Sequence, residues 1–199
     1  MASTLKPTSK DGPTNPRGIP VAPFVDRVED YVTDRSEVES TMNSFKEMIS
    51  KYQFMEVNTQ RRAAGLKDKI PDIKKTLETV RFLKNRKSSA TPIETTFELN
   101  ETLFAKAEVP PTDEVFLWLG ANVMLAYSIP EAEELLSTKL ETAQKSFATC
   151  EEDMEFLREQ ITTLEVAFAR VYNWDVAQRR KDREAGESIE GKKGSAANG

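Results

Sequence analysis

Two stretches of this chain carry apolar residues at intervals alternating between four and three, and these stretches constrain its fold more than any other feature. From Val38 the series runs through Met42, Phe45, Ile49, Tyr52, Glu56, Thr59, Ala63, Leu66, Ile70, Ile73, Leu77 and Val80, broken in character only by Glu56 and Thr59. From Leu136 it runs through Leu140, Ala143, Phe147, Cys150, Met154, Leu157, Ile161, Leu164, Phe168 and Val171 with no polar member. A mean spacing of about 3.5 residues keeps one seam facing a partner helix as the two supercoil, and chance amphipathicity loses phase over such a length. Hydrophobic residues at 38% and charged ones at 31% are lean for a globule but suit helices with a narrow apolar seam and solvated flanks.

The first helix is expected over about 34–87, with Asp34 and Ser36 as candidate N-caps. Gly65 and Pro71 oppose it locally, yet Leu66, Ile70, Ile73 and Leu77 keep phase across both. A turn would reset the register, so the pattern predicts one continuous helix, kinked or loosened there. Lys84, Arg86 and Lys87 suit the negative end of the helix dipole, and Pro92 forbids continuation.

Between the two helices lies the only segment rich in strand formers, 93–127. Ile93, Thr95, Phe97 and Leu99 alternate with Glu94, Thr96 and Glu98, the period of a half-buried strand, and Asn100-Glu101 reads as the hairpin turn. A second strand from Leu103 to Val109 stops at Pro110-Pro111. In EVFLWLG the residues Val115, Leu117 and Leu119 fall on one face and Phe116 and Trp118 on the other, which predicts a strand covered on both sides. Gly120 to Asn122 form a turn, and Val123 to Tyr127 a fourth strand. Two hairpins of this size are marginal alone. Phe116 and Trp118 therefore either meet a neighbouring subunit or pack on the roots of the chain's own helices.

Ser128-Ile129-Pro130-Glu131 has the form of a capping box with Pro in the first turn, and it opens the second helix, expected over about 129–181. Cys150 lies in the seam and reads as a small hydrophobe. Residues 1–20 have almost no large apolar side chains and are expected to be a disordered arm, as is the tail 185–199; one domain spans 21–184. In the stretch 18–32, Phe24, Val25, Val28, Tyr31 and Val32 fall on one side of a short helix, which either packs on its own chain or docks on a partner.

Folded antiparallel about the strand-rich middle, the two helices bring Val80 near Leu136, Tyr52 near Leu164 and Phe45 near Tyr172. The fold class is mainly α with a small β element: a long antiparallel two-helix coiled coil joined by two β-hairpins. The helix ends remote from the hairpins then gather Phe45, Met48, Ile49, Tyr52, Phe168, Val171, Tyr172 and Trp174. Fraying leaves such an end partly wet. It serves either as an adaptable surface for nonnative chains or as a simple end cap of the coil.

The 28 basic and 33 acidic residues give a net charge of -5, which opposes an electrostatically driven nucleic-acid binder. The absence of histidine removes the commonest acid/base and metal ligand, and a lone cysteine forms neither an intramolecular disulfide nor a zinc cluster. No phosphate loop of the G-x-x-x-x-G-K-[ST] form is present, and no run of about 18 apolar residues suggests a membrane span. The expectation is a cytoplasmic protein that is not an enzyme and needs no cofactor.

The runs ETTFELNETLFAKAEVPPTDEVFLWLGANVMLAYSIPEAEELL and FLREQITTLEVAFARVYNWDV, with KYQFMEVN and KIPDIKKTLE upstream, resemble alpha-class subunits of the eukaryotic prefoldin chaperone. The resemblance spans roughly residues 18–181 and omits both tails. It implies a heterohexamer of two alpha-class and four beta-class subunits whose hairpins join into a double-barrel platform. It further implies coiled coils that grip unfolded actin and tubulin at their tips and pass them to the cytosolic chaperonin without ATP. Under it, Leu103, Val115, Phe116, Leu117, Trp118, Leu119, Val123 and Leu125 are the expected subunit-assembly residues, and the helix-end cluster above becomes the client-binding tip. A coiled-coil tether or scaffold is the alternative, which explains the heptads but not the strands.

Overall fold

The computed structural model describes residues 13–32, 35–87 and 91–195, and for Arg35 and 185–195 it describes the backbone alone. The elements run in the order α1 (Val38–Arg86), β1 (Ile93–Asn100), β2 (Leu103–Val109), β3 (Glu114–Gly120), β4 (Val123–Ser128) and α2 (Ile129–Ser195). Short 3-10 turns precede α1 at Val28–Asp30 and Arg35–Glu37. Two compact units divide the chain, one comprising Met1–Gln60 with Glu151–Gly199 and the other Arg61–Cys150. Both long helices contribute to each.

In the unit Arg61–Cys150, α1 runs unbroken through Gly65 and Pro71, as the unbroken phase of its seam requires. Leu77 and Val80 of α1 are buried against Ile129, Ala132 and Leu136 of α2. Glu133 of α2 accepts from Arg81 Nε at 3.0 Å and from Lys84 Nζ at 2.7 Å, bracing the same pair of helices from outside.

The strands form two separate antiparallel hairpins, β1 with β2 and β3 with β4. In the first, Asn100 pairs with Leu103, so the turn sits at Glu101-Thr102, one residue later than expected; the Asn100 side chain accepts the Glu101 N–H at 2.7 Å. In the second, Gly120 pairs with Val123 around Ala121 and Asn122, whose φ values of 49° and 62° are those of a type I′ turn. That turn matches the right-handed strand twist, and a register shift between Trp118 and Gly120 separates it from the regular ladder that begins at Trp118↔Met124.

Ser128 Oγ lies 2.9 Å from Glu131 Oε2, and the Glu131 N–H points at Ser128 Oγ at 3.4 Å, so the predicted capping box is made. The Ile129 N–H donates to the Asp113 carbonyl at 3.1 Å, tying the start of α2 to the start of β3.

In the unit Met1–Gln60 with Glu151–Gly199, two contacts establish the helix directions. Lys46 Nζ lies 5.6 Å from the Phe168 ring centre, and Arg158 Nε donates to Glu56 Oε1 at 2.8 Å. Advancing along α1 thus means retreating along α2, the antiparallel arrangement. Glu56, polar in an apolar seam, is accommodated by that ion pair.

The amino-terminal stretch departs from expectation. Residues 1–12 lie outside the described part, but 13–20 are ordered: Thr14 bridges Pro20, and the Asn15 amide and Arg17 guanidinium both bind Asp153 of α2, with Arg17 also meeting Glu152 at 3.0 Å. Beyond them Ala22, Val25, Val28 and Val32 are buried in one core with Phe45, Tyr52, Leu157, Leu164 and Val171. The segment 13–32 is therefore a strap laid on the helix pair, the same-chain alternative of the two. It is mostly extended with a single 3-10 turn, and Phe24 sits outside the buried row at 56% exposure. Composition missed the polar half because its anchors are hydrogen bonds and ion pairs, which hydropathy does not register.

Of the two N-cap candidates, Asp34 lies outside the described residues and Ser36 falls in the 3-10 turn before α1. The backbone of α2 continues to Ser195, past the expected end near residue 181 and through the first part of the stretch expected to be disordered. The side chains of 179–184 are exposed, and the backbone hydrogen-bond ladder, being local, goes on past them.

Candidate functional site

Two regions hold the candidate residues. The first is the outer face of the hairpins. Because paired residues of an antiparallel ladder share a face, the register Val115↔Tyr127 and Leu117↔Leu125 places one row toward the helices, while Phe116↔Ala126 and Trp118↔Met124 form the other. Val115 and Leu117 are each only 9% exposed, packed on Leu77, Val80 and Ile129. Phe116 and Trp118 are 68% and 60% exposed. The strand expected to be covered on both faces is thus covered on one, and the chain's own helix roots do not receive the two rings.

The first hairpin is barer still. Phe97↔Ala105, Thr95↔Ala107 and Ile93↔Val109 share a face with Leu103, opposite the row Glu94, Lys106, Glu98 and Glu108. Phe97, Leu99, Leu103 and Phe104 are all exposed, so the half-buried pattern of β1 has no covering surface within the chain. Two-stranded hairpins also keep their outer backbone edges unpaired.

Among the expected assembly residues, Leu103, Phe116, Trp118, Leu119, Val123 and Leu125 are exposed, whereas Val115 and Leu117 belong to the chain's own core. Sequence reasoning passed over Phe97, Leu99, Phe104 and Met124, which share the exposed hairpin surfaces. The alternation of β1 put the first two on the apolar face of a half-buried strand, but whether that face is covered depends on what packs behind it.

The second region is the expected helix-end cluster. Phe45, Tyr52 and Val171 are buried at 0%, 4% and 0% exposure, and Met48, Ile49, Phe168 and Trp174 are partly buried beside them; only Tyr172 stands exposed. The structure brings these residues together but covers them with the strap, where an open, fraying end had been expected. The Tyr52 hydroxyl donates to the Pro20 carbonyl at 2.8 Å, and burial raises the pKa of its phenol. Gln160 accepts the Ala22 N–H at 2.8 Å, Arg170 donates to the Val25 carbonyl at 2.6 Å and lies 5.0 Å from the Phe24 ring centre, and Trp174 Nε1 donates to Glu29 at 3.2 Å. Among the described residues no buried side-chain nitrogen or oxygen lacks a partner.

Among the described residues no group of three or more Asp, Glu, Cys or His is placed to hold a metal, and no helix is long and apolar enough to cross a membrane. The depressed carboxyls of Glu47, Glu133 and Glu141 each answer a surface Lys or Arg partner rather than a cleft, and Cys150 is buried in the seam. The chemistry available is that of surfaces: apolar burial and backbone hydrogen bonding.

Comparison with known proteins agrees with this geometry. A sequence profile of the Prefoldin family, described as prefoldin subunit, matches residues 52–174. Prefoldin subunit 3 of Elsinoe fawcettii is 72% identical over 88% of this chain and 89% of its own length. The probable prefoldin subunit 3 of Schizosaccharomyces pombe is 51% identical over 85% of this chain and 98% of its own. Prefoldin subunit 3 of Homo sapiens is 47% identical over 83% and 85%.

Proposed function

The chain belongs to the prefoldin family, and from that membership we propose that it is an alpha-class subunit of a heterohexameric, ATP-independent holding chaperone. In this reading two alpha-class and four beta-class subunits assemble through their hairpins. The complex captures unfolded actin and tubulin in the cytoplasm and delivers them to the cytosolic chaperonin. It holds its clients by surface complementarity, and the reading assigns it no catalytic step, cofactor, metal, nucleic acid or membrane.

The observation that supports it best is the pair of bare apolar hairpin faces. Phe116, Trp118 and Met124 on one and Phe97, Leu99 and Leu103 on the other leave large apolar side chains in water. Burying such surface is worth about 25 cal/mol per Å², and an isolated two-stranded hairpin is marginal without a neighbour. A ring of subunits, each covering the next hairpin, answers both needs. Leu119, Val123 and Leu125, exposed beyond the buried part of the opposite row, would add contact from that side, with Val115 and Leu117 holding the hairpin on the helix roots.

Co-expression with five companion prefoldin subunits and native mass measurement tests this. The intact chain is expected in a hexamer, and the double variant Phe116→Asp, Trp118→Asp is expected to be excluded from it. A double variant that assembles in full stoichiometry would overturn the assembly assignment. Suppression of actin aggregation by the purified hexamer, without added nucleotide, tests the holding role.

A further inference from the structure

The strap's manner of attachment carries information about what its groove can bind. Three groove side chains hydrogen-bond to main-chain atoms of the strap: Tyr52 to the Pro20 carbonyl, Gln160 to the Ala22 N–H and Arg170 to the Val25 carbonyl. Main-chain atoms are common to every polypeptide, so these contacts select an extended backbone rather than a particular sequence. Beneath them lies an apolar floor of Phe45, Leu157, Leu164 and Val171, filled by Ala22, Val25, Val28 and Val32. The remaining ties include Asn15 and Arg17 to the largely covered Asp153, Arg17 to the exposed Glu152, Arg170 to the Asp26 carbonyl and Trp174 to the exposed Glu29. Those that end on exposed carboxylates are weak and screened by salt.

We propose that the groove is a binding site for an extended apolar polypeptide segment and that residues 13–32 are its built-in, displaceable occupant. Tethering gives the strap a high effective concentration, so an incoming segment binds in proportion to the fraction of molecules whose strap is open. The strap thereby regulates access to the helix-end surface. The inference rests on the holding-chaperone reading only in taking the incoming segment to belong to a nonnative client.

The test uses the full chain in its hexamer, a strap variant Arg17→Glu, Val25→Ser that leaves every groove residue intact, and a chain lacking residues 1–32. The probe is a fluorescent synthetic peptide of residues 13–32 followed by anisotropy. Both altered chains are expected to bind it at least about tenfold more tightly than the intact chain, and a peptide carrying Val25→Ser is expected to lose that binding. Equal affinity for all three chains, or no binding to altered chains that keep their helix content, overturns the proposal. Should the truncated chain fail to fold, the strap variant decides alone. Unlabelled peptide is expected to displace nonnative actin from the strap variant; peptide binding without displacement would overturn the strap's role as competitor. A hexamer that fails to hold actin in any form would instead be a failure of the holding-chaperone reading.

Discussion

Tyr52 of α1 donates its hydroxyl to the carbonyl of Pro20 at 2.8 Å, so a seam residue of the coil also holds down the strap that covers it. The same ring packs in the core with Leu157 and Leu164. Helix pairing and strap docking are thereby joined at one side chain.

Replacing Tyr52 by Phe keeps the packing and leaves the Pro20 carbonyl without this donor, with an expected loss of about 1 kcal/mol. Phe45→Ala, which empties the centre of the same core, is expected to cost about 3–5 kcal/mol. Thermal unfolding of the two variants checks the ranking. Because burial raises the Tyr52 pKa above its ordinary 10.0, its hydrogen bond contributes fully below that value and is lost as pH rises through the folded-state pKa. The stability difference between the native chain and Tyr52→Phe is expected to shrink in that alkaline range.

Adjacent residues of β3 are expected to separate folding from assembly. Leu117 is buried among the helix roots, so Leu117→Ala is expected to lower stability by about 2–5 kcal/mol. Phe116 points away from them, so Phe116→Ser is expected to leave the unfolding temperature nearly unchanged and to weaken the proposed subunit contact. Calorimetry and native mass measurement on both variants distinguish the two effects.

Glu133 gives a prediction in acid. Its hydrogen bonds from Lys84 and then Arg81 hold the carboxyl below the usual carboxylate range. A group depressed on folding contributes stability above its unfolded pKa and loses that contribution as pH falls through the folded one. Glu133→Gln is therefore expected to be less stable than the native chain near neutrality and to converge with it once pH falls below the ordinary carboxylate range. Melting curves at intervals from pH 7 to about pH 3 follow this convergence. High salt is expected to reduce the difference, since the pair is solvent-facing.

The type I′ turn supplies a stabilising substitution. Ala121 adopts φ 49° with a Cβ that this region disfavours, at a cost of about 1–2 kcal/mol, partly offset on substitution by the added chain entropy of glycine. Ala121→Gly is expected to gain about 0.5–1 kcal/mol, read as a raised unfolding temperature. Ala121→Val is expected to lower it.

The helices, the four strands and the start of α2 were legible in the sequence because each depends on local rules. The four-three spacing set the seams, so Leu77, Val80, Leu136, Leu157 and Leu164 are buried as the pattern requires. The Ser128–Glu131 box capped α2, and the phase across Pro71 announced a single helix. The hairpin surface was legible in part: alternation separated Phe116 and Trp118 from Val115 and Leu117 without saying which pair the helices would receive.

That choice belongs to the tertiary structure. Two rows of apolar side chains on one strand are equivalent by hydropathy, and only the register with β4 and the position of the helix roots makes one row core and the other surface. The strap is the second such case. Pro20, Ala22 and Val25 bind through main-chain atoms to Tyr52, Gln160 and Arg170, residues distant in sequence and marked by no motif. The sequence by itself determined the elements, because periodicity and capping act within a few residues. The folded chain decided which apolar surface is covered and by what, because burial depends on what lies across a contact.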